Sequence, residues 1–289
     1  MPSGMIKSGY SLIAGLANTG KSTLLNCLTG TDISPAVSQA SSTRMPITGI
    51  STPGNAQICF VDTPPLESRY DWSILNWVDT VVLMLDIRTF EEDLTTPMLK
   101  FFLKKTAEKP VILALSMDDF VKAEHRQAYV RKALYTNRFT FCLSVCPASG
   151  SGVPELLKIV LENIPMRDRL FPRYITTLNS RRFLVAEQVR ARLFSFLPPE
   201  VASETAVQVE ETSYRDGRLY VRLNILVSRA SAKGTVIGRK GQTLERISRA
   251  SAESIERFTG ERCRLDMWVK VREAWPDNQK DMLEFGYVC

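Results

Sequence analysis

Short apolar runs alternate with longer amphipathic stretches along the first 165 residues of the chain. The runs are rich in Val, Ile and Leu with little polar alternation, which is typical of strands buried on both faces. They lie at Tyr10–Ala14, Ile47–Ile50, Ile58–Val61, Val81–Leu85, Val111–Leu115 and Thr140–Val145. The stretches between them predict helices at Lys21–Leu28, Glu91–Lys105, Val121–Tyr135 and Val153–Asn163. This alternation predicts an α/β domain with a parallel sheet and right-handed crossovers.

One connection departs from the alternation of strands and helices. Pro53–Asn55 reads Pro-Gly-Asn and separates the second and third apolar runs without a helix between them. A tight turn of this kind predicts a hairpin, which makes one strand antiparallel to its neighbour. We therefore expect a mixed, mostly parallel sheet.

The pattern changes after Pro165. A long, arginine-rich helical stretch is predicted between Met166 and Pro199, where two consecutive prolines end it. The rest predicts an α+β fold with strands at Ala206–Glu211, Leu219–Val227 and Cys263–Val271, and a helix near Leu244–Phe258. The predicted organisation is a first domain at 1–165, an interdomain helical segment at 166–200 and a second domain at 201–289.

Composition narrows the class of protein. With 289 residues, 44% of them hydrophobic and 24% charged, the chain can build two cores and is not intrinsically disordered. The one histidine, His125, excludes a His-rich metal site, and the six cysteines show no C-x-x-C spacing. We read the cysteines as reduced thiols in a cytoplasmic protein of bacterial type, without a signal peptide or an apolar run long enough to span a bilayer. An organelle is the alternative compartment.

The net charge of +6 is unevenly distributed. Residues 1–165 carry 15 basic and 15 acidic groups, whereas residues 166–289 carry 22 basic and 16 acidic groups. The whole excess therefore falls in the second half. A basic surplus of this kind predicts a polyanionic partner, either nucleic acid or an anionic membrane face, and a well-solvated basic surface is the alternative interpretation.

The first predicted strand and helix are joined by a loop that fits G-x-x-x-x-G-K-[ST]. Its glycines let backbone N–H groups surround a phosphate, the lysine reaches the β- and γ-phosphates, and the serine hydroxyl is a Mg²⁺ ligand. The predicted nucleotide contacts here are Gly15, Leu16, Ala17, Asn18, Thr19, Gly20, Lys21, Ser22 and Thr23. The strand before it and the helix after it are the context that this motif requires.

Three further positions carry the polar groups that a nucleotide switch needs. Asp62 ends the third apolar run and can hold Mg²⁺. Ser42 or Thr43 supplies a hydroxyl in the loop before the second strand. Asp119 follows the fifth run and can read a base. The remaining contacts predicted at these two strand ends are Thr63, Pro64, Pro65, Leu66, Ser116, Met117 and Asp118.

The second half contains a G-x-x-G loop, Gly238-Arg239-Lys240-Gly241, between a strand and a helix. Such a loop lets the backbone approach a sugar–phosphate chain, and residues 229–249 around it carry a net charge of +5. Salt-sensitive binding of single-stranded RNA is predicted. The predicted RNA-binding residues are Arg229, Lys233, Gly238, Arg239, Lys240, Gly241 and Arg246.

Together, these motifs resemble the Era family of GTPases over essentially the whole chain. The run GLANTGKSTLLNCLTG, the Phe171–Ile175 junction and the segment from Met267 to Val271 are similar to that family. The resemblance implies a P-loop GTPase domain followed by a type II KH domain. It also implies GTP or GDP with Mg²⁺, slow hydrolysis, binding of the 3′ region of small-subunit rRNA, and a role in small-subunit assembly. A monomer is implied, with peripheral membrane contact as a further possibility.

The resemblance also assigns roles to individual residues. Gly15–Ser22 would bind the phosphates, with Lys21 as the catalytic cation, and Asn18 would hold a K⁺ ion. Ser22, Thr43 and Asp62 would hold Mg²⁺. No residue offers itself as a general base, in keeping with a mechanism of positioning and electrostatics.

Four positions depart from the family pattern. Pro65 replaces the glycine whose backbone N–H donates to the γ-phosphate, and proline has no such donor. Ser116 and Met117 replace the asparagine and lysine of N-K-x-D, and Pro147 removes a donor to the base carbonyl. Two alternatives to a GTPase therefore stay open: a pseudo-GTPase RNA-binding scaffold that does not cycle nucleotide, and a P-loop protein that takes ATP.

Overall fold

The computed structural model describes residues 4–35, 45–68, 70–136 and 138–285. Within these, the chain forms two compact units. The described residues of Met1–Thr31 and Pro46–Leu178 make up the first unit, and those of Asp32–Met45 and Asn179–Cys289 make up the second. Residues 166–178 therefore pack with the first unit, and 179–200 with the second.

The first unit is built on a seven-stranded sheet. Its strands are β1 (Ile6–Gly15), β2 (Ile47–Ser51), β3 (Gln57–Asp62), β4 (Thr80–Asp86), β5 (Val111–Ser116), β6 (Phe141–Ser144) and β7 (Met166–Arg167). The order is β2-β3-β1-β4-β5-β6, and β7 pairs antiparallel with the start of β1. Among the described strands of this sheet, the β2–β3 and β1–β7 pairs are antiparallel and the others are parallel. The mixed, mostly parallel sheet and the hairpin at Pro53–Asn55 are confirmed.

In the part of the chain that the structure describes, the α-helices beside this sheet are α1 (Lys21–Thr29), α2 (Phe90–Asp93), α3 (Pro97–Lys105), α4 (Ala123–Tyr135) and α5 (Val153–Asn163). The prediction of a single helix at Glu91–Lys105 is wrong, because the helix is interrupted before Pro97. The residue before a proline avoids the α region, and Thr96 is extended, with its hydroxyl accepting a bond from the Leu99 N–H at 3.4 Å.

The central strands carry the core of the first unit. Every residue of β3 and β5 is buried, as expected for strands covered on both faces. Because β1 and β3 are parallel neighbours, with Ile13 opposite Asp62, their carboxyl ends meet at one edge of the sheet. That edge holds the glycine-rich loop and Asp62. The loop is continuous with α1, and Asp62 is buried at the end of β3.

The second unit is a three-stranded sheet with helices. Its strands are β8 (Thr205–Arg215), β9 (Arg218–Val227) and β10 (Cys263–Val271), and its helices are α6 (Arg181–Phe196), α7 (Pro199–Ala202), α8 (Ala230–Ile237), α9 (Gln242–Thr259) and α10 (Gln279–Glu284). The order is β10-β9-β8, with β8 antiparallel and β10 parallel to β9. Leu223, Ile225 and Ile255 are among the fully buried residues of its core.

Two local predictions for this half need correction. The helix expected within 166–200 begins only at Arg181, because Ser180 is extended and its hydroxyl caps the Phe183 N–H at 3.2 Å. The G-x-x-G loop, expected between a strand and a helix, instead follows α8, which forms although Gly234 lies inside it. None of the described helices is long and apolar enough to cross a membrane.

Candidate nucleotide and nucleic-acid sites

The glycine-rich loop runs from the last residue of β1 to the first turn of α1. At Gly15 a Cβ atom would lie 2.2 Å from the backbone oxygen of Met84, so no side chain fits there. Gly20 has φ 89° and Asn18 has φ 61°, two left-handed residues that turn the chain into the helix. The amino end of α1 therefore faces the hollow of the loop, as a phosphate-binding loop requires.

Lys21 lies inside this loop with only 7% of its surface exposed. Its Nζ donates a hydrogen bond of 2.6 Å to the backbone oxygen of Leu16. Burial lowers the pKa of Lys21, while the negative charges of Asp62 and Glu67 act in the opposite direction and raise it. The ammonium group is thus held where the β- and γ-phosphates of a nucleotide are expected.

Ser22 and Asp62 bring together the two oxygens that the sequence predicts for Mg²⁺. The hydroxyl of Ser22 donates to Oδ2 of Asp62 at 2.7 Å, and Asp62 is fully buried. Beside them, Thr63 is fixed because its hydroxyl donates to the backbone oxygen of Ile13 at 2.9 Å. Oxygen donors of this kind are what Mg²⁺ prefers, so the residues present fit the ion.

The chain after Asp62 folds back along the glycine-rich loop. The Leu66 N–H donates to the backbone oxygen of Gly15 at 3.1 Å, and the Leu66 side chain is buried. Pro64 and Pro65 are also buried. Because proline has no backbone N–H, Pro65 presents no donor at the mouth of the loop. Next to it, Oε1 of Glu67 accepts a hydrogen bond from the Ala17 N–H at 3.1 Å.

The predicted base-binding end is more open. Asp119 is exposed at a cavity of about 460 Å³. The cavity is lined by Asp119, Arg126, Cys146, Ala148, Ser149 and Ser151. Ser116 is buried, and its hydroxyl donates to the backbone oxygen of Leu85 at 3.2 Å, back toward the sheet. Met117 is half-buried with φ 58°.

Some predicted positions cannot be placed at this end of the sheet. Ser42 and Thr43 lie outside the described residues, as does the side chain of Asp118. Thr23, which follows Ser22 in α1, is half-buried. The structure therefore brings Lys21, Ser22 and Asp62 together and separates Ser116 from the cavity that Asp119 lines.

The G-x-x-G loop of the second unit is a tight turn between α8 and α9. Gly238 has φ 73°, and a Cβ there would lie 2.1 Å from the hydroxyl of Thr243. Lys240 has φ 51°, and Gly241 caps α9 with φ 81°. Gly238 is therefore required by the packing of Thr243, whereas no atom lies within 4 Å of a Cβ at Gly241, where a sugar–phosphate chain can come close.

Exposed cations surround this turn. Arg239 and Lys240 project from the loop, Lys233 lies on α8, and Arg246 stacks over the Phe196 ring with 5.0 Å between its Cζ and the ring centroid. Arg229 differs from the others because its Nε lies 3.4 Å from a carboxylate oxygen of Glu204. A cavity of about 350 Å³ beside the loop is lined by Gln242, Thr243, Glu245, Arg246 and Arg249.

Comparison with known proteins identifies the family. A family model described as a 50S ribosome-binding GTPase matches residues 11–117, and a KH domain model matches residues 200–276. GTPase Era of Trichlorobacter lovleyi is 33% identical over 97% of this chain and 98% of its own length. The chain belongs to the Era family. The P-loop GTPase domain and the KH domain inferred from the sequence are thereby confirmed.

Solved Era structures have the same fold. A variant of Aquifex aeolicus Era bound to GDP·AlF4− matches with a TM-score of 0.87 and 29% identity, over 98% of this chain and all of that one. Era in complex with MgGDPNP and nucleotides 1506–1542 of 16S ribosomal RNA matches with the same TM-score, identity and coverage. The prediction of an α/β GTPase fold followed by an α+β KH fold is confirmed by both structures.

Two residues near the nucleotide site of this Era-family chain were not predicted from the sequence. Glu67 contacts the glycine-rich loop, and Arg126 lines the cavity at Asp119. Neither belongs to a spaced motif. The acidic residue two positions after the double proline is a usable signal for Glu67, whereas Arg126 reaches the cavity only because α4 begins beside it.

Proposed function

We propose that this chain binds GTP and GDP with Mg²⁺, hydrolyses GTP slowly, and binds the 3′ region of small-subunit rRNA during assembly of the small ribosomal subunit. The observation that carries the proposal is the cluster of Lys21, Ser22 and Asp62, in which Lys21 and Asp62 are buried, in the same chain as an exposed basic G-x-x-G turn. The relatives named above bind GDP or GDPNP, and one of them binds 16S rRNA.

In this proposal the phosphate chain lies against the glycine-rich loop and α1. Backbone N–H groups and the ammonium of Lys21 neutralise it, and Ser22 with Asp62 holds Mg²⁺. The metal, when bound, screens the charge that builds up between the β- and γ-phosphates. Thr43 is the proposed third metal contact. Asn18, exposed and left-handed, is proposed to hold K⁺ close to the same phosphates.

The base is proposed to occupy the cavity at Asp119, with the carboxylate accepting two hydrogen bonds from the guanine edge. Ser116 and Pro147 supply fewer donors than the N-K-x-D and S-A patterns do. At about 1 kcal/mol or more per lost buried hydrogen bond, the affinity for guanine is expected to fall roughly ten- to several-hundred-fold. The phosphate contacts are not affected by these substitutions.

A pseudo-GTPase scaffold is the second candidate. The observation that favours it is Pro65, which is buried beside the loop and has no N–H to sense a third phosphate. In that case the KH domain carries the function, and the first unit binds a nucleotide without turning it over.

Titration of GTP, GDP and ATP with Mg²⁺, followed by steady-state hydrolysis assays in K⁺ and in Na⁺, separates these functions. We expect guanine nucleotides to bind more tightly than ATP, and GTP hydrolysis to be slow, faster in K⁺, and lost in Lys21→Ala. Guanine nucleotide binding without hydrolysis would identify the scaffold. No nucleotide binding at millimolar concentration would refute the GTPase proposal.

The RNA proposal has its own experiment. Changing both Arg239 and Lys240 to Asp should lower affinity for a single-stranded 3′ small-subunit rRNA oligonucleotide by about two orders of magnitude at low salt, because two positive charges become negative. The control changes Arg218 and Lys280 to Asp, two exposed cations away from the loop. Equal losses in the two double variants would contradict a specific role for the turn.

The compartment and assembly state are proposed on the same basis. A cytoplasmic monomer fits reduced cysteines and a basic surplus that is concentrated at one RNA-binding turn. Light scattering of the purified protein tests the monomer. Co-sedimentation with anionic vesicles, with and without the rRNA oligonucleotide, tests peripheral membrane contact.

A further inference from the structure

We propose that Glu67 determines which phosphate chain this site prefers, by holding a carboxylate at the γ-phosphate end of the loop and favouring a nucleoside diphosphate over the triphosphate. This inference rests on the proposed nucleotide binding and specifies it further. Its basis is the contact between Glu67 and the loop that binds phosphate.

The carboxylate of Glu67 occupies a position suited to an anion. Its Oε1 accepts the Ala17 N–H at 3.1 Å, and Ala17 is one of the residues of the glycine-rich loop. Amide groups of such loops are the donors that bind phosphate oxygens. The chain thus supplies its own acceptor to one of these donors.

The charge of Glu67 also acts on Lys21. The negative charge of Glu67, like that of Asp62, raises the pKa of Lys21 against the larger effect of burial. Glu67 also lies two residues after Pro65, the position whose backbone faces the γ-phosphate in the family pattern, so its carboxylate on Ala17 lies at the outer end of the phosphate chain. A third phosphate would therefore meet a like charge, whereas a diphosphate ends before it.

The turn that carries Glu67 is anchored on both sides. Before it, Leu66 is buried and its N–H donates to the oxygen of Gly15. After it, Ser68 donates to the oxygen of Pro65 both from its N–H, at 2.9 Å, and from its hydroxyl, at 2.6 Å. The backbone at Glu67 is held against the loop, so the side chain can leave only by changing its own rotamer.

Pro65 adds to the same preference. A glycine at this position would donate an N–H toward the γ-phosphate, which would offset the repulsion from a nearby carboxylate. Proline supplies none, so a triphosphate gains no contact here and loses the Glu67–Ala17 bond. Both residues act on the third phosphate, and neither acts on the base.

The test compares the affinities of GDP and a non-hydrolysable GTP analogue, with Mg²⁺ at fixed ionic strength, in wild type and in Glu67→Gln and Glu67→Ala. Glu108→Gln, an exposed glutamate in the same unit, is the matched control. We expect both Glu67 variants to raise the affinity of the analogue relative to GDP by about tenfold, and Glu108→Gln to leave the ratio unchanged. Combining Glu67→Gln with Pro65→Gly should raise the ratio further.

Each outcome has one meaning. An unchanged ratio in both Glu67 variants, with GDP still bound, would overturn the inference and leave the proposed nucleotide function intact. Absence of binding by GDP and the analogue in wild type would overturn both. A ratio that rises equally in Glu108→Gln would also overturn the inference, because the effect would then come from net charge and not from the contact with Ala17.

Discussion

The phosphate end and the base end of the nucleotide site are built differently. At the phosphate end, Asp62 is fully buried, Lys21 is 7% exposed, and Gly15 packs against the backbone of the neighbouring strand. At the base end, Asp119 is exposed on an open cavity and Ser116 bonds back to the sheet. The phosphate end belongs to the core, whereas the base end opens to solvent at Asp119.

This difference explains which substitutions the fold tolerates. A phosphate loop is made of backbone N–H groups and buried side chains, so altering it also alters packing. Base recognition depends on a few side chains at strand ends, which can change without cost to stability. Three of the four departures, Ser116, Met117 and Pro147, occur at the base end, whereas Pro65 lies beside the phosphate loop and G-x-x-x-x-G-K-[ST] itself is intact.

The largest effect is expected from Lys21→Ala, which removes the buried cation of the phosphate end. Affinity for GDP should fall at least about 100-fold, because charge-assisted hydrogen bonds to the phosphates are lost. Fluorescence titration with labelled GDP measures the loss. Lys158→Ala, an exposed lysine on α5, is the control. A loss below tenfold would mean that the phosphate end does not dominate binding.

Gly15→Ala tests whether the phosphate end is part of the core. A Cβ there would lie 2.2 Å from the oxygen of Met84, so we expect a destabilisation of about 3 kcal/mol, measured by denaturant unfolding. Gly30→Ala, also at positive φ but with no atom within 4 Å, should cost about 1 kcal/mol. Equal costs would show that close packing at Gly15 does not matter.

Asp119→Asn examines the base end. In the proposed binding mode the carboxylate accepts two hydrogen bonds from guanine, whereas an amide would accept one and donate one, so we expect GDP affinity to fall about tenfold and xanthosine diphosphate affinity to rise. Because Asp119 is exposed, the free energy of unfolding should change by no more than about 0.5 kcal/mol. A large loss of stability would contradict the contrast between the two ends.

The smallest effect is expected from Met117→Lys. Met117 is half-buried at the strand end, and lysine would add a charge that can lie over the purine ring. GDP affinity should rise about threefold with ATP affinity unchanged or lower, measured by competition against labelled GDP. Met117→Leu is the control, since it keeps an apolar stem. An equal gain in GDP affinity in Met117→Lys and Met117→Leu would show that packing, and not the added charge, causes the effect.

Several elements could be predicted from local pattern alone. Buried strands such as β3 and β5 have uninterrupted apolar runs, α5 was predicted with its observed bounds, and the hairpin was indicated by one turn. The broken helix before Pro97 and the helix around Gly234 were mispredicted. Capping by Thr96 separates α3 from α2, and α8 forms across Gly234 because Ala232 and Val236 are buried in the core.

The sequence by itself determined the chemistry of the phosphate loop, the basic G-x-x-G turn and the family, because each depends on residues close together in the chain. Tertiary structure decided the rest. Residues 22 and 62 share a hydrogen bond because β1 and β3 are parallel neighbours, and Glu67 meets Ala17 because the turn after β3 is bonded to Gly15. Separations of 40 and 50 residues carry no local pattern, so only the folded sheet brings such groups into contact.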